Sequence, residues 1–183
     1  MHKYHLSFFC LPVIETAIMK PDKKLKIGVI SDTHLTGPDE TLKSLLQDHF
    51  ADVDMIFHAG DLVDLKVLEM FGDKDVRAVC GNMDNARTRS ELPQELIMEL
   101  GGFKVGLIHG WGAPEGIEKR LAEKLGPLDC IVFGHTHWPA GKSINGTYFF
   151  NPGSAVDKRF ARVTSIGVIE IDSQIQGRII ALS

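Results

Sequence analysis

From Leu25 onward, short apolar runs alternate with stretches of helical spacing. The run LKIGVIS at Leu25–Ser31 suits a buried strand, and Met55–His58 and Val76–Cys80 repeat its character. Between them, Leu42, Leu45 and Leu46 share one face of a helix expected over Pro38–Phe50, and Leu65–Phe71 is expected to be helical as well. Strand, helix and strand at this spacing build a parallel sheet with crossover helices.

The pattern then changes. Glu95–Leu100 and Phe103–His109 flank Gly101-Gly102 as a hairpin, and Lys142–Ile144 and Thr147–Phe150 flank Asn145-Gly146, a strong type I′ signal. Pro114–Leu125 has helical spacing at Ile117, Leu121 and Leu125, and Asp129–Gly134 reads as a buried strand. Val163–Asp172 and Arg178–Leu182 alternate apolar and polar residues, as half-buried antiparallel strands do. The whole predicts an α/β fold of two packed, mostly β sheets with helices outside, its functional loops at strand carboxyl ends.

Composition narrows the class. A chain of 183 residues, 44% hydrophobic and 24% charged, suits one soluble domain. The formal net charge of −4 leaves no basic surface for a long nucleic acid, whereas one small phosphate needs only local positive charge. The three cysteines, Cys10, Cys80 and Cys130, are widely spaced, so neither a disulfide framework nor a cysteine zinc site is expected, and a cytoplasmic setting fits. Cys80 and Cys130 fall in apolar runs and are expected to be buried small hydrophobes. Met1–Lys20 is weakly basic and apolar, but Pro12 and Glu15 interrupt it, so neither an export signal nor a membrane span is expected. Residues 1–24 are set apart as an extension, and 25–183 as a single domain.

Candidate ligands fall just past the expected strands. Asp32 and His34 follow the first, Asp61 the second and Asn82 the third. His109 ends the hairpin, and His135 and His137 follow the next strand. Carboxylates, imidazoles and an amide suit Mn, Fe, Zn or Ni. Seven such groups exceed a four-coordinate zinc and suit two divalent ions sharing a carboxylate, roughly 3.5–4 Å apart. Each block alone is ordinary: Asp-x-His or Gly-Asp after a strand is usually a turn, and a lone histidine usually packs in a core. Their joint order at strand ends is what points to a metal pair.

The series Asp32-x-His34, Gly60-Asp61, Gly81-Asn82-x-Asp84, His109-Gly110 and Gly134-His135-x-His137, extended by Asn151-Pro152-Gly153-Ser154, resembles the calcineurin-like metallophosphoesterase superfamily, in particular its small prokaryotic phosphodiesterases. The resemblance implies a four-layer αββα sandwich of two mixed sheets flanked by helices. It implies that Asp32, His34, Asp61 and His137 hold one ion, and that Asp61, Asn82, His109 and His135 hold the other. Asn82, Asp61 and His109 are then the expected catalytic residues, Asp61 setting the metal spacing and Asn82 offsetting charge on the phosphoryl oxygens. The expected reaction is hydrolysis of a small phosphate ester by a hydroxide bridging two divalent ions, manganese favoured, without a covalent intermediate. A homo-oligomer is compatible with this reading, and no membrane partner is expected.

Many members carry a histidine directly after the ligand asparagine, where it protonates the leaving group. Here that position is Met83, and a thioether is no acid. This favours diesters and acidic leaving groups. Two alternatives belong to other classes: a non-catalytic protein-binding scaffold, of which the superfamily includes a retromer-type subunit, and a nuclease of the same chemistry. The intact ligand set opposes the first, and the acidic balance opposes the second. Around the site, His58 is either a neighbour of the ligands or a plain strand residue, and Asp84 either orients a ligand histidine or caps a turn. Trp111 and Trp138 line a pocket or pack in the core. Lys158, Arg159 and Arg162 either contact phosphate or sit in a solvated loop.

Overall fold

The computed structural model describes residues 14–15, 24–156 and 163–182. Its described strands are β1 (Ile14–Glu15), β2 (Leu25–Ile30), β3 (Met55–His58), β4 (Asp75–Ala78), β5 (Glu95–Leu100), β6 (Phe103–Ile108), β7 (Cys130–Val132), β8 (Ala140–Ile144), β9 (Thr147–Asn151), β10 (Ser165–Ile171) and β11 (Ile175–Ala181). They form two mixed sheets, ordered β11-β10-β2-β3-β4 and β1-β5-β6-β7-β9-β8. In the first, β2, β3 and β4 run parallel, and in the second β6, β7 and β9 do.

Three apolar clusters show the layering. Between the sheets, Leu25, Ile27, Val29 and Phe57 meet Met98, Leu107, Val132 and Phe150. The alternate residues Ile30, Ile56, Ile166 and Val168 face outward and are covered by Leu42, Leu46 and Phe50, from the segment between β2 and β3. On the far side, Ile131 and Phe149 are covered by Ile117 and Leu121 of the third helix. Two-residue alternation therefore serves two separate cores from one sheet, which is why β2, β3, β7 and β10 are almost continuously apolar. The result is the expected αββα sandwich. Phe150 is wholly buried, and Gly167 and Gly177 on the opposite sheet lack the Cβ atoms that would strike its ring.

The helices start where their caps dictate. Asp39 accepts from the Leu42 N–H at 2.8 Å, so α1 spans Glu40–His49 rather than beginning at Pro38. Helix α2 (Ala86–Glu91), capped by Asn85 onto the Thr88 N–H, was not expected. Its sequence ARTRSE has no apolar stripe to reveal it. Helix α3 (Ile117–Leu125) starts later than Pro114 because Gly116 takes a left-handed φ of 71°. Leu65–Phe71 is helical, but as a 3-10 helix. Both expected two-residue hairpin turns form, with positive φ at Gly101, Gly102, Asn145 and Gly146. Cys80 and Cys130 are buried free thiols, and burial pushes Cys130 up to about 12. Cys10 lies outside the described residues. Among the described residues, no helix is long and apolar enough to cross a membrane.

Two predictions follow from this packing. Among the described residues β1 pairs with β5 through Ile14 and Glu15 alone, and a chain beginning at Met19 is expected to stay soluble and unfold cooperatively. Insoluble protein would make residues 1–18 integral to the domain. The second concerns His58, fully buried at the end of β3 with Nε2 at 3.2 Å from Thr33 Oγ1. Its Nδ1 has no hydrogen-bond partner among the described residues. Burial holds its pKa down to about 3, so the ring is neutral. Protons then favour the unfolded chain, whose histidine titrates near about 6.5. The stability from neutral His58 is complete above about pH 6.5 and falls as pH drops toward about 3, by at most about 1.4 kcal/mol per pH unit. Urea midpoints measured across that window should fall less steeply in His58→Leu, and an unaltered slope would place the acid sensitivity elsewhere.

Candidate metal centre

Parallel strands of both sheets end on one rim of the sandwich. The β2–β3 ladder continues beyond the strands: the N–H groups of Asp32, His34 and Leu35 donate to the carbonyls of Gly60, Asp61 and Leu62 at 3.0–3.1 Å. Across the rim, Gly134 N–H donates to the His109 carbonyl at 3.1 Å. These bonds carry the ligand loops out of the sheets as a continued ladder rather than as loose turns.

The backbone is unusual at these positions. Of the seven non-glycine residues with positive φ among the described residues, five are Asp32, His34, Asp61, His135 and His137. A sixth, Val63 at 79°, is a strained conformation for a β-branched residue. Asp and His tolerate this region better than most side chains. Left-handed residues turn successive side chains back over the rim, so one short loop can aim two ligands at one place.

The ligand atoms form a closed circuit. His109 Nε2 lies 3.3 Å from Asp61 Oδ2, which lies 3.9 Å from His34 Nε2. His34 Nε2 is 3.2 Å from His137 Nε2, which is 3.3 Å from Asp32 Oδ1. Asp32 Oδ1 returns to His109 Nε2 at 4.0 Å. Asn82 Oδ1 joins at 3.2 Å from His109 Nε2 and 3.0 Å from His135 Nδ1. All seven residues named from the sequence are thus together. Two subsets, Asp32 with His34 and His137, and Asp32 with Asp61 and His109, keep their ligand atoms within 4.8 Å of one another.

Tautomers follow from the outer contacts, because a carbonyl only accepts. His109 Nδ1 donates to Ala59 O at 2.8 Å, and His135 Nε2 donates to Gly112 O at 3.0 Å. The opposite nitrogens, His109 Nε2 and His135 Nδ1, are left turned toward Asn82 and Asp61 with their lone pairs. Such a circuit of acceptors repels itself unless positive charge lies within it. The acid–base balance says the same. A second proton, on His109 Nε2, is one way to supply that charge. Burial opposes it, yet the hydrogen bond to Asp61 and the charges of Asp32 and Asp61 outweigh burial, raising His109 to about 9. A bound cation would displace that proton and use the lone pair. For Asp61, burial pushes up, but His109 and the Met83 N–H prevail and its carboxyl is held low. The N/O donor set, its convergence and its demand for positive charge all fit divalent cations.

Several residues that hold this geometry were not anticipated. Ser31 Oγ donates to Asp32 Oδ2 at 2.5 Å, and Met83 N–H to Asp61 Oδ1 at 2.7 Å. Asn151 Nδ2 donates to Gly134 O at 2.8 Å, and Ser154 Oγ to Asp32 O at 2.7 Å, so the Asn-Pro-Gly-Ser block braces both ligand loops. Arg120, from α3, donates to the carbonyls of Trp111, Ala113 and Glu115 and fixes the loop whose Gly112 carbonyl orients His135. Nothing local in the sequence announces Arg120, since its role depends on how α3 docks. At Gly81 a Cβ would strike Asp61. Of the two roles left open for Asp84, the turn is the one seen. Its oxygens accept from the Val63 N–H at 2.6 Å and the Gly81 N–H at 2.7 Å, joining two loops. His58 contacts Thr33 rather than a ligand side chain. Trp111 and Trp138 are not core residues, being 43% and 53% exposed. Trp111 instead helps line a pocket of about 210 Å³ with Asn82, His109, Arg89, Glu95 and Lys124. Lys158, Arg159 and Arg162 lie outside the described residues.

The site's relatives share its frame. A probable metallophosphoesterase of Methanocaldococcus jannaschii is 34% identical over 160 residues, covering 85% of this chain and 81% of that protein. The solved structure of an archaeal phosphodiesterase superposes with a TM-score of 0.70 at 24% identity, over 86% of this chain and 100% of its own. Vacuolar protein sorting 29 of Cryptosporidium parvum has the same fold, with a TM-score of 0.67 at 21% identity over 88% of this chain and 100% of its own. Residues 25–174 match the calcineurin-like phosphoesterase superfamily domain, and with these loops and this ligand circuit the chain belongs to that superfamily.

Proposed function

We propose that this metallophosphoesterase is a phosphodiesterase working with two divalent ions, manganese by preference and iron, nickel or zinc by chemical compatibility. The observation that carries the reading is the closed ligand circuit, in which Asp61 Oδ2 lies between His109 and His34. Asp32, His34, Asp61 and His137 would hold one ion, and Asp61, Asn82, His109 and His135 the other. When bound, such ions supply a water acidified to near neutral pH and positive charge for the phosphoryl oxygens.

The chain's own groups do the rest. His109 and His135 keep their lone pairs inward because their outer nitrogens are tied to Ala59 and Gly112. Asn82 turns Oδ1 to the ligand side, leaving its amide N–H groups to donate to a phosphoryl oxygen as charge builds there. Met83 contributes only its backbone N–H to Asp61, while its side chain is 58% exposed and carries no titratable proton. The leaving oxygen must therefore depart on its own acidity, which favours diesters and acidic leaving groups. We place the protein in the cytoplasm on its buried, unpaired Cys80 and Cys130. A purely scaffolding role has the fold of vacuolar protein sorting 29 in its favour. The complete ligand set favours catalysis.

Three outcomes are expected. Native protein should take up about two divalent ions per chain by metal analysis, and chelation should abolish hydrolysis. Asp61→Asn should lower occupancy at both positions, and full occupancy with full activity would remove the shared carboxylate. With manganese, an aryl phosphodiester should be cleaved well and an alkyl monoester poorly, by a gap of roughly 10²–10⁴-fold, the usual value of a general acid. Faster cleavage of the alkyl monoester would mean another residue donates the proton. No hydrolysis of either ester with any of the four metals would favour the scaffold.

A further inference from the structure

The pocket of about 210 Å³ is lined by Asn82 and His109 and also by residues that take no part in the proposed chemistry. Its walls include three charged side chains, Arg89, Lys124 and Glu95. Lys124 Nζ is paired with Glu95 Oε1 at 3.3 Å. Arg89 has no ion pair among the described residues, and its one hydrogen bond there, at 3.5 Å, reaches the backbone carbonyl of Asn82. The lining therefore carries one uncompensated positive charge, in a chain whose formal net charge is −4. That charge stands beside the residue whose side chain joins the ligand circuit.

We infer that this pocket is a subsite for an anionic arm of the substrate: a phosphodiester whose retained group bears a second acidic function, carboxylate or phosphate, held by Arg89. The inference rests on the phosphodiesterase reading and narrows its substrate class. Size limits the arm. A volume of about 210 Å³ admits several heavy atoms, since one water-sized group needs roughly 10–15 Å³ on the same measure. It falls below the roughly 300 Å³ at which pockets for drug-sized ligands begin. A short acidic arm fits these bounds better than a nucleoside. A guanidinium matches both carboxylate and phosphate through paired N–H donors, and it keeps its charge at any working pH. Trp111 also lines the pocket, and Arg120 steadies its loop by donating to the Trp111 carbonyl at 3.1 Å.

The test uses nitrophenyl phosphodiesters that share one leaving group and differ in the retained arm: carboxyethyl, phosphonoethyl and the neutral carbamoylethyl isostere. In native protein with manganese, KM for the acidic arms should be about tenfold or more below that of the amide, the usual worth of a charge-assisted hydrogen bond. Arg89→Gln should bring the acid-to-amide ratio of KM close to one, and Arg89→Lys should keep part of it. A preference for only one acidic arm would name the anion. Equal KM across the native series, or a ratio unmoved by Arg89→Gln, would overturn the subsite. Calorimetric binding of carboxyethyl phosphate against carbamoylethyl phosphate decides the point without turnover. At least tenfold tighter binding of the acid, lost in Arg89→Gln, supports the pocket, and equal affinities overturn it. Absence of turnover with a retained binding preference would count against the phosphodiesterase reading alone.

Discussion

Electrostatic repulsion among like ligands is the constraint on which the structure depends. Two buried carboxylates, several imidazole nitrogens and an amide oxygen are held 3.0–4.0 Å apart around one circuit. Left to themselves these atoms would separate, because a low-dielectric setting strengthens every repulsion between them. The sandwich resists this with backbone. The β2–β3 ladder runs on past the strands, and Asp84, Asn151 and Ser154 pin the loops through N–H and C=O groups.

Strain is confined to the same places. A left-handed residue costs on the order of 1–3 kcal/mol and persists only when its surroundings over-determine it. Val63 shows how. Its N–H is taken by Asp84, and its carbonyl by the Asn85 N–H and the Thr88 hydroxyl. Helix α2, short and polar, thus finds its use as the clip that holds the loop carrying Asp61. The interior supplies the counterweight, since Phe150 and its neighbours lock the two sheets face to face.

The ligands were legible in the sequence because each is a chemically distinctive residue at the end of an apolar run, and the runs themselves mark the strands. The layers were legible because residues such as Ile27 and Ile56 serve opposite faces of one sheet and leave strands apolar throughout. Helix α2 was hidden because amphipathic spacing detects only helices that bury a stripe, and this one is secured by its cap and one hydroxyl. For Asp84 the sequence left two roles open, orienting a ligand histidine or capping a turn, and the structure shows the turn. One of its oxygens accepts locally from the Gly81 N–H, but the other meets the Val63 N–H, 21 residues away, and that second contact is encoded by no local pattern. Arg89 carried no signal because what distinguishes it is the lack of an ion pair among the described residues, a property of the assembled surface.

The position of β2 within its sheet governs how the molecule is made. β2 pairs with β3 on one side, but its other neighbour is β10, which follows the whole of the second sheet in the chain. During synthesis the strand that leads into Asp32 and His34 therefore carries an open edge until β10 has emerged. Contacts of such long sequence separation form slowly, and an unpaired apolar strand is prone to join a neighbouring chain. The first sheet is consequently completed only when the β10–β11 hairpin returns to close it.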